Sequence, residues 1–248
     1  YRQSVITEVY ALNTFLCSAL CWVIVHITTS KRASDPTKFF RKNFFIFCFL
    51  LGLTLSNHHT SWYFGILFLI LFFRDIFANW KIATLGFLCF LIGLLPYLYL
   101  PISAQQNPVL NWGNPQTWQS FWQHVLRFQY APHLNRPVLL AQEQLREYFI
   151  WLFQEFHFFI VFGFVIGLYW LLDRSKKIFA FIFLGFLLSG PLTSLIVNYE
   201  IPLYNFRAYS EASYLLSVFF ISKSLFLVTS IAATLVLTSK KLKESQQK

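Results

Sequence analysis

The stretch Ser103–Tyr148, SAQQNPVLNWGNPQTWQSFWQHVLRFQYAPHLNRPVLLAQEQLREY, decides how this chain is read. It is a polar loop of roughly 45 residues lying between segments too apolar to be soluble. Loops of that length without a task are uncommon, and binding or chemistry collects on loops held by a rigid scaffold. The chain around it is expected to be a membrane scaffold that presents this loop on one face.

Composition supports the scaffold. Of 248 residues, 56% are hydrophobic and 21% aromatic, only 12% are charged, and the mean hydropathy is +0.53. Soluble domains carry about 25% charged residues. Several windows of about 20 residues hold almost no charge, the length a helix needs to cross a bilayer. The expected fold class is all-α, a polytopic helical membrane protein with about seven transmembrane helices plus extracytoplasmic amphipathic helices. Residues 1–248 read as one transmembrane domain, with 103–148 as a loop inside it that carries interfacial helices.

The net charge is +10. In a soluble protein that would suggest nucleic acid; in a membrane protein it is the surplus of Lys and Arg in cytoplasmic loops. The expected partner is the lipid bilayer, and no nucleic acid. The chain starts at Tyr1 and contains no methionine, which reads as a fragment or a processed chain. No secretory signal peptide is visible. Cys17, Cys21, Cys48 and Cys89 all lie in apolar segments, without Cys-x-x-Cys or Cys/His spacing, so no disulfide framework is expected.

Seven apolar runs follow in order: Val5–Thr28, Phe44–Leu55, Ser61–Phe73, Ile82–Ile102, Phe149–Leu172, Ile178–Val197 and Tyr214–Thr238. The second and third are short, about 20 Å as helices, which suits a place where the protein pinches the bilayer or opens a cavity. Alternate connections carry the basic residues: five Lys/Arg at 31–42, two at 74–81, three at 174–177 and four at 240–248. The other side holds Arg2, Arg127, Arg136, Arg146 and Arg207. By the positive-inside rule the first set is cytoplasmic. Glu8, the Asn57-His58-His59 turn, the 103–148 loop and the 199–213 loop then all face the extracytoplasmic side.

Within the long loop, Asn114-Pro115 reads as a helix start, an N-cap followed by proline at the first helical position. Trp118, Phe121, Trp122 and Val125 recur at helical spacing, and tryptophans on an amphipathic helix suit the headgroup zone. Such a helix could equally be an anchor with no catalytic part. A second amphipathic piece, Val138–Tyr148, leads into the fifth span.

His58 and His59 invite a metal, but neighbouring helical side chains diverge by about 100° and no carboxylate is close in sequence. We expect no metal and no cofactor. One imidazole is expected to hydrogen-bond at the membrane surface, either to a ligand phosphate or to backbone. Glu8, His26, Glu155 and Lys223 lie in or near lipid depth, where ionisable groups face a cavity or a partner. Similar depths motivate a Glu155–Lys223 pair. Glu8, with Asn13 a turn or so below it, is the best-placed external carboxylate; its plain alternative is a helix-start acid complementing the macrodipole.

Four runs occur in a telling order: Glu8-Val9-Tyr10-Ala11-Leu12-Asn13, Gly52-Leu53-Thr54-Leu55-Ser56-Asn57-His58-His59-Thr60, Leu94-Leu95-Pro96-Tyr97-Leu98-Tyr99-Leu100-Pro101-Ile102 and Asn111-Trp112-Gly113-Asn114-Pro115. With Arg127 and Tyr130 after them, they resemble a family of bacterial and eukaryotic multi-pass membrane proteins, once filed as a domain of unknown function. That family is grouped with the protein O-mannosyltransferase-like enzymes of the GT-C superfamily. The resemblance covers about residues 1–130 well and the rest loosely.

The resemblance implies a GT-C-like fold and an inverting glycosyltransferase. Such an enzyme transfers a hexose, mannose for example, from a polyprenyl-phosphate donor to an extracytoplasmic protein or glycan acceptor. It also implies a general base in a loop ahead of the motif matching Glu8, which would precede Tyr1. The family pattern reads Asn-Trp-Gly-Asp-Pro, whereas this chain has Asn114 in the acidic place. A carboxylate, Glu8 being the candidate here, would deprotonate the acceptor hydroxyl. The leaving phosphate needs donors and positive charge, for which His58, His59, Arg127 and Arg207 are available, with Asn57 beside them on the expected substrate surface. Asn111, Trp112, Asn114 and Tyr130 complete the expected substrate surface.

Two other classes compete. A non-catalytic membrane protein that binds a polyprenyl lipid would fit the same surface. A transporter fits less well, because no internal repeat is visible and the prolines cluster at span ends. Location follows the class: an integral multi-pass protein of the inner membrane in a bacterium, or of the endoplasmic reticulum in a eukaryote.

Overall fold

The computed structural model describes residues 10–30, 35–109, 111, 113–126, 128, 142–143, 145–150, 166–167, 169, 171–172 and 175–192. Among these residues there is no strand, and the helices described from end to end are α1 (Tyr10–Thr29), α2 (Pro36–Asn57), α3 (Tyr63–Phe77), α4 (Trp80–Gly93), α5 (Tyr99–Gln105), α6 (Trp118–Val125) and α7 (Lys176–Ser189), with further helical residues between 142 and 172. Two short 3-10 turns, His59–Trp62 and Leu95–Leu98, link α2 to α3 and α4 to α5.

The all-helical class holds throughout the described residues, and the spans themselves differ in detail. Two helical segments, Ala11–Thr29 and Pro36–Asn57, are long and apolar enough to cross a membrane, and α4 with its continuation to Gln105 makes a third if the bent pair counts as one. The second span begins eight residues earlier than the apolar run Phe44–Leu55 suggests. Asp35 caps it, its side chain accepting from the Lys38 amide at 2.9 Å, and Pro36 takes the first turn, where its missing N–H costs nothing. Lys38, Arg41 and Lys42 are therefore helical, with their charged ends exposed. At 22 residues α2 is about 33 Å long, enough to span. By contrast α3, with 15 residues and a kink at Phe72, is about 22 Å long and remains short.

The expected fourth span, Ile82–Ile102, is broken. Pro96 and Pro101 lack the N–H that would continue the ladder and would crowd carbonyls four residues back. The chain passes through the 3-10 turn and resumes as α5 at 41° to α4. The fifth and seventh expected spans, and the last residues of the sixth, lie largely or wholly outside the described residues.

Ring contacts set the directions. At one end of α1, His26 stacks on Trp22 (4.8 Å) and meets Phe39 of α2 (5.0 Å), while at the other end Asn13 reaches Ser61, so α1 and α2 are antiparallel. Gly86 of α4 backs onto Phe44, and Gly93 onto Gly52, so α2 and α4 run parallel. A Cβ on Gly52 would run into the Phe90 carbonyl, and one on Gly93 into the Phe49 carbonyl. Only glycine at both places lets these backbones touch, the small-residue packing that membrane helices use in place of a hydrophobic driving force. Phe64 of α3 meets Phe181 of α7, and Lys177 sits 5.1 Å above the Phe72 ring, so α3 and α7 are antiparallel.

The core joins α2, α3 and α7 through Phe47 on Phe68 (3.9 Å), Phe40 on Phe72 (5.7 Å) and Phe181, with Leu20, Val23 and Ile24 of α1 against it. Hydroxyls within the helices turn back on their own backbone, as Ser18 to Thr14, Thr54 to Leu50 and Ser189 to Gly185 do. Where no water is at hand, that satisfies the hydroxyl. The result is a bundle with two unlike ends. The starts of α2, α4 and α7 and the end of α3 gather the basic residues at one of them.

Candidate functional site

The other end gathers the polar residues, and its centre is the turn His59–Trp62. Helix α2 stops at Asn57 because His58 is extended (φ −148°, ψ 123°); its amide still reaches the Thr54 carbonyl at 2.8 Å. Asn57, His58 and His59 are all half-buried. Two residues of this turn then take partners on opposite sides.

Ser61, fully buried, donates through Oγ to Asn13 Oδ1 at 3.1 Å. The Cys17 thiol lies 3.4 Å from the same Ser61 oxygen. Asn13 is itself 4% exposed, so this buried polar contact fastens the start of α1 to the turn. None of the four cysteines forms a disulfide.

His59 faces the other way. Its Nε2 lies 2.6 Å from the Val125 carbonyl and 3.1 Å from the Tyr97 hydroxyl. A carbonyl can only accept, so Nε2 carries the proton and donates. Tyr97 Oη in turn donates to the Leu55 carbonyl at 2.9 Å, and therefore accepts the longer arm of the histidine bond. Both carbonyls belong to the last turn of a helix, Leu55 in α2 and Val125 in α6, where the intrahelical ladder ends. Side chains from elsewhere in the chain cap both. Of the two histidines, His59 has backbone as a partner, one of the two kinds of partner expected for one imidazole.

Helix α6 is what His59 holds. It begins at Trp118, not at Pro115. Thr117 is the N-cap, with the Thr117 and Ser120 hydroxyls serving each other's amides in a capping box. The Asn114-Pro115 reading is corrected here: Asn114 has φ +39° and Gly113 φ +72°, a left-handed pair that turns the chain before the helix starts. Asparagine tolerates that conformation, whereas an N-cap needs an extended one. Asn111 Nδ2 closes the turn onto Asn114 Oδ1 at 2.8 Å. Gln116 ties it back to α5 through the Ala104 carbonyl (2.7 Å) and Asn107 Oδ1 (3.1 Å). A side chain on Gly113 would come within 2.7 Å of His124 Nδ1, so the turn packs on the helix end that His59 holds.

Phe121 is the buried side of α6, while Trp118 (73% exposed) and Trp122 (40%) face outward, edge to face with ring centroids 5.4 Å apart. The amphipathic pattern read from the sequence is present. Of Val138–Tyr148, residues 142–143 and 145–148 are described and helical, and Tyr148 is fully buried against Phe186 of α7.

Asn57, His58, His59, Asn111 and Asn114 are thus brought to one end of the bundle. Glu8, Trp112, Arg127, Tyr130 and Arg207, with Glu155 and Lys223, lie outside the described residues. His26 lies at the basic end, between Trp22 and Phe39. Sequence reasoning missed Tyr97, Ser61, Gln116 and the Thr117–Ser120 cap. Tyr97, between Pro96 and Pro101 in an otherwise apolar run, was the one with a visible signal. Among the described residues no three His, Cys, Asp or Glu side chains cluster to hold a metal.

Residues 1–81 match the family model for the protein O-mannosyl-transferase TMEM260 N-terminal domain. The mouse protein O-mannosyl-transferase TMEM260 is 30% identical over 137 residues, 53% of this chain. The match spans 19% of that relative's length, about a fifth. No solved structure matches. The chain is similar to the protein O-mannosyltransferase-like family, as the four motifs implied.

Proposed function

We propose that this chain is the membrane core of a GT-C-type glycosyltransferase. It transfers a hexose, mannose first among the candidates, from a polyprenyl-phosphate donor to a protein or glycan acceptor on the extracytoplasmic face. The observation that carries the reading is the segregation of the bundle's ends. Asn13, Asn57–Ser61, Tyr97 and the Asn111–Asn114 turn share one end, opposite the exposed Lys38, Arg41, Lys42, Arg74, Lys81, Lys176 and Lys177. With the basic end cytoplasmic, the polar end meets the outer leaflet, where a lipid-linked sugar lies. Similarity to a protein O-mannosyl-transferase supports a glycosyltransferase-like activity.

In the proposed reaction the acceptor oxygen attacks the anomeric carbon as the bond from that carbon to the phosphate oxygen breaks. The electron pair leaves with the polyprenyl phosphate, and the acceptor proton passes to a carboxylate, Glu8 in this chain or an acid beyond it. Arg127 and Arg207 are the proposed cations for the leaving phosphate. The exposed tryptophans of α6 offer apolar faces to the prenyl chain or the sugar.

The test uses the protein purified from its own membranes, with radiolabelled mannose supplied on polyprenyl phosphate or on a nucleotide. Label should reach acceptor from the first donor alone. Transfer only from the nucleotide sugar would refute the donor class, and no transfer from either would refute the enzyme. One observation favours the competing reading of a non-catalytic polyprenyl-lipid binder: Asn114 puts an amide, busy closing a turn, where the family has an acid. Lipid-phosphate binding without transfer would support it.

A further inference from the structure

We infer that His59 and Tyr97 are positioning residues. Through the Val125 carbonyl they hold the tryptophan-bearing helix α6 against the end of α2 and the α4–α5 break, so that a lipid-linked donor meets an aromatic surface already in place. This rests on the proposed function for the identity of the donor, but not for the latch itself.

Three observations carry it. The helix has eight residues and only Phe121 buried, too little apolar contact to fix its place. Its start is anchored locally, by the Thr117–Ser120 box and by Gln116 on α5, whereas its end is fixed by His59, 66 positions away in the chain. Finally, Tyr97 lies in the 3-10 turn at the 41° break, so the break, the end of α2 and the end of α6 meet through two side chains. Ser61 ties the same short turn to Asn13. A change at the start of α1, next to Glu8 in sequence, is thereby coupled mechanically to the placement of Trp118 and Trp122.

The test is amide exchange on the full-length protein in lipid nanodiscs, compared for wild type, His59→Ala, His59→Gln and Tyr97→Phe. In His59→Ala, residues 118–126 should exchange about tenfold faster while α2 is unchanged. His59→Gln, whose amide can still donate to the Val125 carbonyl, should keep most of the protection. Tyr97→Phe should fall between them. Unchanged exchange in α6 would overturn the latch, and equal loss of protection in α2 and α6 would reduce His59 to a fold residue.

In a protein that transfers sugar, His59→Ala should raise KM for the lipid donor and leave kcat near wild type. A loss of kcat at constant KM would move His59 into the chemistry and overturn the positioning role. If exchange responds as described in a protein that transfers nothing, the latch stands and the proposed enzyme falls.

Discussion

His59 and Val125, 66 positions apart, are joined by a 2.6 Å hydrogen bond from the imidazole Nε2 to the carbonyl oxygen. The bond caps the last turn of α6 with a side chain from the end of α2. It explains how a helix of eight residues, too short to be stable alone in water, has a fixed place on a membrane bundle.

The other end of the same helix should be as sensitive. Thr117→Ala removes the acceptor for the Ser120 amide and half of the capping box. The expected cost is about 0.5–2 kcal/mol of local helix stability. Limited proteolysis between 114 and 126 should accelerate while the melting temperature of the bundle changes little.

The buried Ser61–Asn13 contact is a matched pair. Ser61→Ala leaves Asn13 Oδ1 with only the distant Cys17 thiol, 3.8 Å away, and should cost about 1–2 kcal/mol. Replacing both partners, Asn13→Leu with Ser61→Ala, should cost less than the sum of the single changes. Thermal unfolding of the four proteins in detergent checks this, and strictly additive losses would contradict the pairing.

Gly52 and Gly93 should not accept a side chain. Each Cβ would meet a carbonyl of the facing helix, and backbone cannot swing aside as a side chain can. Gly93→Ala should lower stability by about 1–3 kcal/mol, whereas Ala at Gly65, which faces the flexible Leu51 side chain, should cost less. The same melting experiment separates the two.

At Asn114 the backbone itself discriminates. Asn114→Asp keeps an acceptor for Asn111 Nδ2 and should leave the turn intact. Asn114→Val, β-branched at φ +39°, should cost about 1–2 kcal/mol and loosen the turn. If Asn114→Asp raised sugar transfer, the acid of the family pattern would be identified as part of the chemistry.

Charge and hydropathy alone separated the two ends of the bundle. Lys38, Arg41, Lys42, Arg74 and Lys176 mark span ends because a bilayer has nowhere to put them, and that constraint is local. The start of α2 was misread for the same reason. Charged residues read as loop, yet long basic side chains can leave a helix for the headgroups. Asn114-Pro115 has the letters of a helix start, yet Gly113 before it is equally a turn signal, and Gly113 and Asn114 take the left-handed conformation of a turn. Tyr97 and His59 meet across 38 positions only because two prolines break a span and the chain resumes at 41°. Such contacts come from tertiary geometry, and the sequence carries them only as a tyrosine beside a proline in a largely apolar run.

The central claim is that a lipid-linked sugar is transferred at the polar end, outside the membrane. The most direct measurement is transfer in sealed, right-side-out vesicles of the source membrane, with labelled polyprenyl-phosphate mannose in the bilayer. A membrane-impermeant acceptor is placed either outside or within the lumen. We predict labelled acceptor only when it faces the polar end, with labelling lost in the presence of an impermeant reagent that modifies that face. Labelling confined to the side of Lys38, Arg41 and Lys177 would contradict the account.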